Sequence, residues 1–300
     1  MTDDAFEWTR VIRFNRPREV TAEEVTEKEL TAKVENKPLT VVEKYTYNTP
    51  YVPSRYSHIL GEWNNGFVIC DELGNEFVWV PVGSLPANGT LDGIAFDKQY
   101  GRRNYRKDNF SHSQYHEIVD NALEKQIESV EKYGGFYISR YAISRTKNEK
   151  PASVKGKYPW INIDFNNAFE KAQEFDGEME SHLVYGAEYD SVLEWLIATG
   201  KTQHEIAEDS TNLGNYWNSD NSPRKVVKTG SREEWYLNNI ADLAGNVWEW
   251  TQEQYSDSSR VLRGGYYYGT GNLYPVAYRY YIPTYYYYHY IGFRVALYMS

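Results

Sequence analysis

The fold of this 300-residue chain is decided by one short stretch, residues 242–250, which reads DLAGNVWEW. Trp248 and Trp250 alternate with Glu249, so in an extended segment the two tryptophans share one face and the carboxylate lies on the other. Gly245 favours the close approach of another segment of backbone. We therefore expect both tryptophans to be buried core residues.

Short motifs extend outward from this stretch in both directions. RGG follows at residues 263–265 and GFRV at 292–295, while FVWVP (77–81), GFYI (135–138) and LEWL (193–196) precede it. In this order the motifs resemble the formylglycine-generating-enzyme, or sulfatase-modifying-factor, family over roughly residues 60 to 298. The resemblance implies a C-type-lectin-like domain, which is loop-rich, with two to three helices around small antiparallel sheets.

The remaining sequence agrees with an α+β fold. Apolar residues at helical spacing, followed by glycine stops, predict helices over residues 116–133, 167–175 and 188–199. Alternating or apolar runs predict strands over residues 66–69, 76–82, 135–144, 260–263 and 292–298. Residues 201–239 are polar and predict a long loop. Helices this few, separated by strands and loops, argue against a parallel βαβ array.

The chain divides by composition into two parts. Residues 1–45 are charged, acidic and poor in aromatic residues. They form either a solvated or partly disordered arm or a small adaptor that joins the domain to a larger assembly. Residues 46–300 form the lectin-like domain.

Composition excludes several classes of function. The net charge is -10 and the pI about 5.2, which argues against general nucleic-acid binding through phosphates. Mean hydropathy is -0.70 and no apolar run approaches the ~20 residues of a membrane helix. The N-terminus lacks an apolar signal core, so we expect a chain that is cytoplasmic before any release. The single cysteine, Cys70, excludes an internal disulfide and a multi-thiolate metal site.

Enzymatic activity is not expected. Enzymes of the family that this chain resembles hold copper and oxidise a substrate cysteine through cysteines between the RGG and GFR elements. This chain has none there, so a soft-ligand copper site cannot form. An iron-dependent site would need histidines with carboxylates, and only His112 and His116 have the i, i+4 spacing. We predict no required cofactor. The alternative is an oxidative enzyme of the formylglycine-generating type that acts on a protein cysteine.

A structural calcium ion is a second metal question. The resemblance implies a calcium site at the GN-x-WE element, with side-chain and carbonyl oxygens as ligands. The matching positions are Asp242, Gly245, Val247 and Glu249. Two carboxylates and two carbonyls suit a hard cation. The alternative is that Glu249 caps or forms a salt bridge with a neighbour.

Tyrosine is concentrated near the C-terminus. Residues 266–290 contain 12 of the 29 tyrosines, and no acidic residue lies between Gly264 and Ser300. Four consecutive tyrosines, Tyr285 to Tyr288, cannot all face one core, and contiguous exposed aromatics indicate a binding surface of the kind that antibodies use. The alternative is an aromatic core or an aggregation-prone strand. Pro275 and Pro283 and the need to satisfy each hydroxyl argue against it.

A closer resemblance concerns this same interval. Members of the family that are diversified by diversity-generating retroelements carry a hypervariable stretch between RGG and IGFR, which implies a variable binding region at residues 266–290. Scaffold residues would be Ala277, Arg279, Pro283 and residues 291–294. The variable set would be Tyr266, Tyr268, Asn272, Leu273, Tyr274, Tyr278, Tyr280, Tyr281, Tyr285, Tyr286, Tyr287, Tyr288, His289 and Tyr290.

These observations predict a ligand-binding display protein, with a lectin-like scaffold and a tyrosine-rich paratope for a protein or cell-surface receptor. The resemblance implies a phage receptor-binding protein, carried on the virion, or a bacterial surface protein. Residues 1–45 would attach it to a larger assembly, or it would act as a homo-oligomer. Ordinary C-type-lectin carbohydrate binding is a third interpretation, which the fold alone does not establish.

Overall fold

The computed structural model describes residues 7–11, 42–46, 50–63, 65–82, 121–175 and 179–299. The chain forms two compact units, Met1–Thr49 and Pro50–Ser300. In the first unit, strands β1 (Glu7–Val11) and β2 (Val42–Thr46) pair antiparallel. The division falls four residues beyond the boundary expected from composition, and the role of the first unit as an arm or adaptor stays a prediction.

The described residues of the second unit contain fourteen strands and four α-helices. The strands are β3 (Tyr56–Leu60), β4 (Val68–Asp71), β5 (Glu76–Pro81), β6 (Gly135–Ser139), β7 (Ser144–Arg145), β8 (Pro151–Ala152), β9 (Met179–Leu183), β10 (Tyr236–Leu237), β11 (Ile240–Ala241), β12 (Trp248–Ser256), β13 (Ser259–Arg263), β14 (Tyr280–Pro283), β15 (Ile291–Phe293) and β16 (Val295–Met299). The helices are α1 (Asn121–Tyr133), α2 (Phe165–Ala172), α3 (Gly186–Ala198) and α4 (Gln203–Ala207).

The central layer is a six-stranded antiparallel sheet in the order β3-β4-β5-β6-β16-β9. Successive side chains of a strand point to opposite faces. On β5, Val78 and Val80 join one hydrophobic cluster together with α3, whereas Phe77 and Trp79 join the other together with β12. The sheet is therefore buried on both faces, which explains the nearly uninterrupted apolar sequence of β5.

A smaller sheet holds both ends of the C-terminal interval. Its order is β14-β13-β12-β15, with β12 and β15 parallel and the other neighbours antiparallel. Trp248 lies opposite Ile291 and Trp250 opposite Phe293. This pairing brings the DLAGNVWEW stretch beside GFRV, so residues 264–290 leave and return to one sheet.

Local sequence signals account for the helix ends. Asp164 caps α2 by accepting a hydrogen bond from the Asn167 backbone N–H at 2.9 Å. Glu188 caps α3 by accepting from the Tyr185 N–H at 2.8 Å. Helix α3 is apolar on nearly every side because it is buried on nearly every side.

The predicted α+β class is confirmed, and most predicted helices and strands are present within a few residues of the expected ends. The start of the helix predicted over residues 116–133 lies outside the described residues. The prediction of a strand over residues 135–144 was too long, because β6 ends at Ser139. The prediction of one long loop over residues 201–239 was wrong, since this range contains α4, two short 3-10 turns and β10, which pairs with β11 just beyond it. Within the part of the chain that the structure describes, no helix is long and apolar enough to cross a membrane.

Candidate functional site

The DLAGNVWEW stretch forms a buried junction beneath the C-terminal interval. Gly245 has a φ of 71°, and a Cβ there would lie only 2.4 Å from the backbone oxygen of Asn215. Its N–H donates to the Gly264 carbonyl at 2.7 Å, which ties the stretch to the RGG element. Trp248 and Trp250 are 2% and 0% exposed, so the prediction that they are core residues is confirmed.

The two carboxylates of this stretch have different partners. Both oxygens of Glu249 accept from Arg294 Nε, at 3.0 and 3.1 Å. Oδ2 of Asp242 accepts from the Thr229 hydroxyl at 2.9 Å and the Gly230 N–H at 2.7 Å. Burial raises the pKa of Asp242 and of Glu249, and the Arg294 guanidinium opposes that rise for Glu249.

These contacts fit the calcium prediction better at Asp242 than at Glu249. Asp242 keeps a buried oxygen, Oδ1, with no hydrogen-bond partner among the described residues. Glu249 instead has the guanidinium of Arg294 as partner, which was the alternative. Gly245 and Val247 could supply only carbonyl oxygens. In the described ranges, no three His, Cys, Asp or Glu side chains come together as a metal site, and calcium at these four positions stays a prediction.

The calcium prediction is tested by melting the protein with and without a chelator. A ligand bound only by the native state at about 100 times its Kd stabilises by about 2.7 kcal/mol, so chelation should lower the melting temperature. Asp242→Ala, which removes both side-chain oxygens, should abolish that shift. Glu249→Gln is less informative, because it also leaves Arg294 buried without its carboxylate. Identical melting curves with and without chelator would remove calcium from the account.

A buried ion-pair cluster lies beneath the tyrosine-rich interval. It consists of Asp190, Glu253, Arg263 and Arg279. Arg263 Nη2 donates to Asp190 Oδ1 at 2.6 Å, and Arg279 Nε donates to Glu253 Oε1 at 2.9 Å. Arg279 Nη2 also donates to Asp190 Oδ2. All four side chains are buried, and two positive charges balance two negative ones. The ion-pair cluster therefore anchors the middle of the interval through Arg279.

Backbone hydrogen bonds fix the remainder of the interval. The Trp248 N–H donates to the Tyr290 carbonyl at 2.8 Å. The Asn162 N–H donates to Tyr288 and the Phe165 N–H to Thr284, both at 3.1 Å. The interval is thus an ordered surface held from below by residues outside it.

The structure separates the fourteen predicted site residues into an exposed group and a half-buried group. The exposed residues are Tyr268, Asn272, Leu273, Tyr280, Tyr285, Tyr286, Tyr287, Tyr288 and His289. The half-buried residues are Tyr266, Tyr274, Tyr278, Tyr281 and Tyr290. We call the exposed group the tyrosine surface and the half-buried group the inner tyrosines.

Three of the inner tyrosines, Tyr266, Tyr274 and Tyr278, pack on the buried ring of Trp248. The Trp248 ring centroid lies 5.8 Å from that of Tyr266 and 5.6 Å from that of Tyr274, within the range of ordinary aromatic contacts. Burial, followed by the neighbouring tyrosines, raises the pKa of Tyr266 to about 12. Its hydroxyl is therefore protonated at neutral pH and is able to donate a hydrogen bond.

Three exposed tyrosines and the inner Tyr290 stack into a row. Ring centroids lie 4.8 Å apart for Tyr285 and Tyr286, 5.6 Å for Tyr286 and Tyr288, and 5.1 Å for Tyr288 and Tyr290. Tyr285 and Tyr287 nevertheless expose 67% and 62% of their surfaces. Stacking restricts the rings, and that lowers the entropy cost of using them to bind.

The sequence of this chain matches one protein-family model over most of its length. A model described as the sulfatase-modifying factor enzyme 1-like domain matches residues 19–299. The chain belongs to the sulfatase-modifying factor family. Its α+β, C-type-lectin-like fold is the one expected from the motif order. No curated protein sequence matches the chain.

Solved structures similar to this sulfatase-modifying factor domain share little sequence with it. PvdO from Pseudomonas aeruginosa is 16% identical, over 77% of this chain and 98% of that chain, with a TM-score of 0.48. CarF is 13% identical over 55% and 87%, with a TM-score of 0.38. Treponema denticola variable protein 1 is 16% identical over 83% and 93%, with a TM-score of 0.31. Likeness at this level says nothing about the activity of this chain.

Cys70 is the single cysteine of this sulfatase-modifying factor domain. Cys70 lies on β4, and burial, followed by Glu76 and Asp71, raises the pKa of its thiol, which disfavours the thiolate. His112 and His116 lie outside the described residues.

Sequence reasoning missed one neighbour of the tyrosine surface. Trp217 is 38% exposed, and its ring centroid lies 5.2 Å from that of Tyr268. The Trp217 N–H donates to the Gly269 carbonyl at 2.8 Å. A tryptophan in the polar stretch 201–239 was the available signal, because tryptophan is enriched at binding hot spots, although Trp235 of the same stretch is buried.

Proposed function

We propose that this sulfatase-modifying factor domain is a non-enzymatic display protein that binds a protein or cell-surface receptor through its tyrosine surface. One observation carries the proposal: seven large side chains of the interval, Tyr268, Leu273, Tyr280 and Tyr285 to Tyr288, are exposed together. Contiguous aromatic exposure on this scale is costly in water and is typical of binding sites.

The chemistry of the surface supports a broad, neutral contact. Arg279, the single arginine of residues 266–290, and Arg294, just beyond them, are buried and paired with carboxylates from other elements. The surface therefore offers rings and hydroxyls without free charge. Tyrosine supplies a large, rigid area and a polar tip at low entropy cost, which suits recognition of one receptor among many.

The proposal extends to diversification of the interval by a retroelement. Nine of the fourteen residues assigned as variable are exposed, whereas the scaffold residues Ala277 and Arg279 are buried. A surface that varies above fixed buried anchors preserves folding while it changes ligand. We propose accordingly that the protein acts on a phage virion or a bacterial surface, attached through residues 1–45 or as a homo-oligomer.

The genomic neighbourhood tests diversification directly. A retroelement leaves a template near-copy of the last stretch of the gene, differing mainly at adenines, beside a reverse-transcriptase gene. We expect both, with the differences at codons of the assigned variable residues. A neighbourhood that lacks the near-copy would exclude retroelement diversification while leaving receptor binding open.

The non-enzymatic part of the proposal predicts no oxidation of a cysteine-containing sulfatase peptide, with or without added copper. The reason is that no cysteine lies between Arg263 and Gly292. Mass spectrometry of the peptide after incubation measures the product. Cys70→Ala is the control, because turnover above background that survives it would show that another group carries the chemistry.

A further inference from the structure

Two segments of this acidic protein are free of acidic residues. Residues 150–163 and 221–232 contain seven lysines and arginines and no aspartate or glutamate. Since the whole chain carries -10, the residues outside these segments carry -17 together. A positive region this concentrated on a negative protein marks a site of electrostatic attraction.

The two segments lie side by side. The Thr229 N–H donates to the Lys157 carbonyl at 2.8 Å, and the Gly156 N–H donates to the Thr229 carbonyl at 2.9 Å. Lys228 Nζ lies 5.9 Å from the ring centroid of Tyr158, which is 58% exposed. The backbone contacts therefore bring the lysines of both segments together around an exposed ring.

Four of the seven cations are available to a partner. Lys150, Lys155 and Arg232 form ion pairs with Glu174, Glu233 and Glu234. The remaining residues are exposed and form no ion pair with any residue that the structure describes. These four form what we call the cationic strip: Lys157, Arg224, Lys225 and Lys228.

Buried side chains hold the backbone of the strip in place. Asn215 Nδ2 donates to the Lys225 carbonyl at 2.9 Å, and the Val227 N–H donates to Asn246 Oδ1 at 3.0 Å. Asn215 and Asn246 are fully buried. The strip is therefore preorganised, which lowers the entropy cost of binding.

Arg224 has a special arrangement within the strip. Its guanidinium carbon lies 4.5 Å from the ring centroid of Trp217, a cation–π contact that restricts the side chain. Its φ is 52°, a left-handed conformation that non-glycine residues rarely adopt and that is concentrated at functional sites. A stacked guanidinium presents its N–H fork to a carboxylate, sulfate or phosphate.

We propose that the cationic strip binds an acidic polysaccharide. A charged sugar ring supplies both an anion for the lysines and Arg224 and an apolar C–H face for the ring of Tyr158. An acidic peptide supplies only the anion, and a nucleic-acid duplex supplies only phosphates, because its bases are stacked inside and leave no free face for Tyr158. Because Trp217 contacts Tyr268, the strip borders the tyrosine surface, but the inference does not depend on receptor binding by that surface.

Heparin, a sulfated polysaccharide, tests the strip on the full chain by affinity electrophoresis. We expect binding that weakens between about 50 and about 300 mM NaCl, with no binding to neutral dextran. Replacing Lys157, Lys225 and Lys228 together by Gln should weaken binding about tenfold. Arg224→Lys should also weaken it, because the fork is lost while the charge is kept.

The matched control replaces Lys125, Lys132 and Lys201 by Gln, which changes the net charge equally. We expect heparin affinity to stay within about twofold of the unmodified protein. An equal loss in the control, no heparin binding at low salt, or tighter binding to poly-glutamate or duplex DNA would each overturn the proposal. Replacing Tyr285 to Tyr288 by Ser should leave heparin binding intact, which separates this site from the proposed receptor site.

Discussion

Arg279→Met is expected to lower the free energy of unfolding by about 3–5 kcal/mol, because it leaves two buried carboxylates, Asp190 and Glu253, to share one cation, Arg263. Arg279 donates to Glu253 at 2.9 Å and also pairs with Asp190, and all three side chains are buried. Methionine fills similar space but supplies no charge. Chemical denaturation monitored by tryptophan fluorescence measures the change.

Two controls isolate the electrostatic cause. Lys150→Met removes one partner of an exposed ion pair with Glu174 and should cost no more than about 1 kcal/mol. Combining Arg279→Met with Asp190→Asn leaves Arg263 and Glu253 as a balanced pair, so the double variant should cost less than the sum of the two single changes. If the losses of unfolding free energy are additive, or if Arg279→Met costs no more than Lys150→Met, the ion-pair cluster contributes packing alone.

The sequence predicts most of the scaffold because its signals are local. Helix α3 is recognisable from its apolar face and the glycine that follows it, and β5 from a short apolar run. The burial of Trp248 and Trp250 follows from their alternation with Glu249. Each of these inferences needs only neighbouring residues.

The buried ion-pair cluster could not be predicted in the same way. Asp190 lies 89 residues from Arg279 in the chain, and no local pattern pairs the two residues. Arginine is almost never fully buried unless it is paired, so its sequence position alone favours the surface. Only the packing of α3 against the smaller sheet brings the four charges together.

The separation of the tyrosines into inner and exposed groups was also beyond sequence reasoning. Outside β14 the interval has no regular strand, so alternation does not assign faces. Tyr266 and Tyr274 pack on Trp248, whereas Tyr285 and Tyr287 are exposed. The predicted binding set is therefore chemically uniform but structurally divided, and that division can be tested.

Replacing Tyr285, Tyr286, Tyr287 and Tyr288 together by Ser is expected to abolish receptor binding while the domain stays folded. Exposed positions contribute little to stability, so the melting temperature should change by only a few degrees. A few aromatic anchors usually supply most of the binding energy of an interface, so truncating four should remove it. The measurements are thermal melting and binding of a labelled protein to cells that the unmodified protein recognises.

The inner tyrosines supply the matched comparison for this experiment. Changing Tyr266 and Tyr274 to Ser should cost about 1–2 kcal/mol each, because both rings are half-buried against Trp248. Trp248→Ala should cost about 3–5 kcal/mol, since the ring is 2% exposed. The free energy of unfolding should thus fall most for Trp248→Ala, and each ring replaced should cost less at Tyr266 and Tyr274 and least at the exposed tyrosines. Receptor binding should be lost when the exposed tyrosines are replaced. An unfolded quadruple variant, or a folded one that binds at full strength, would place the receptor site elsewhere on the domain.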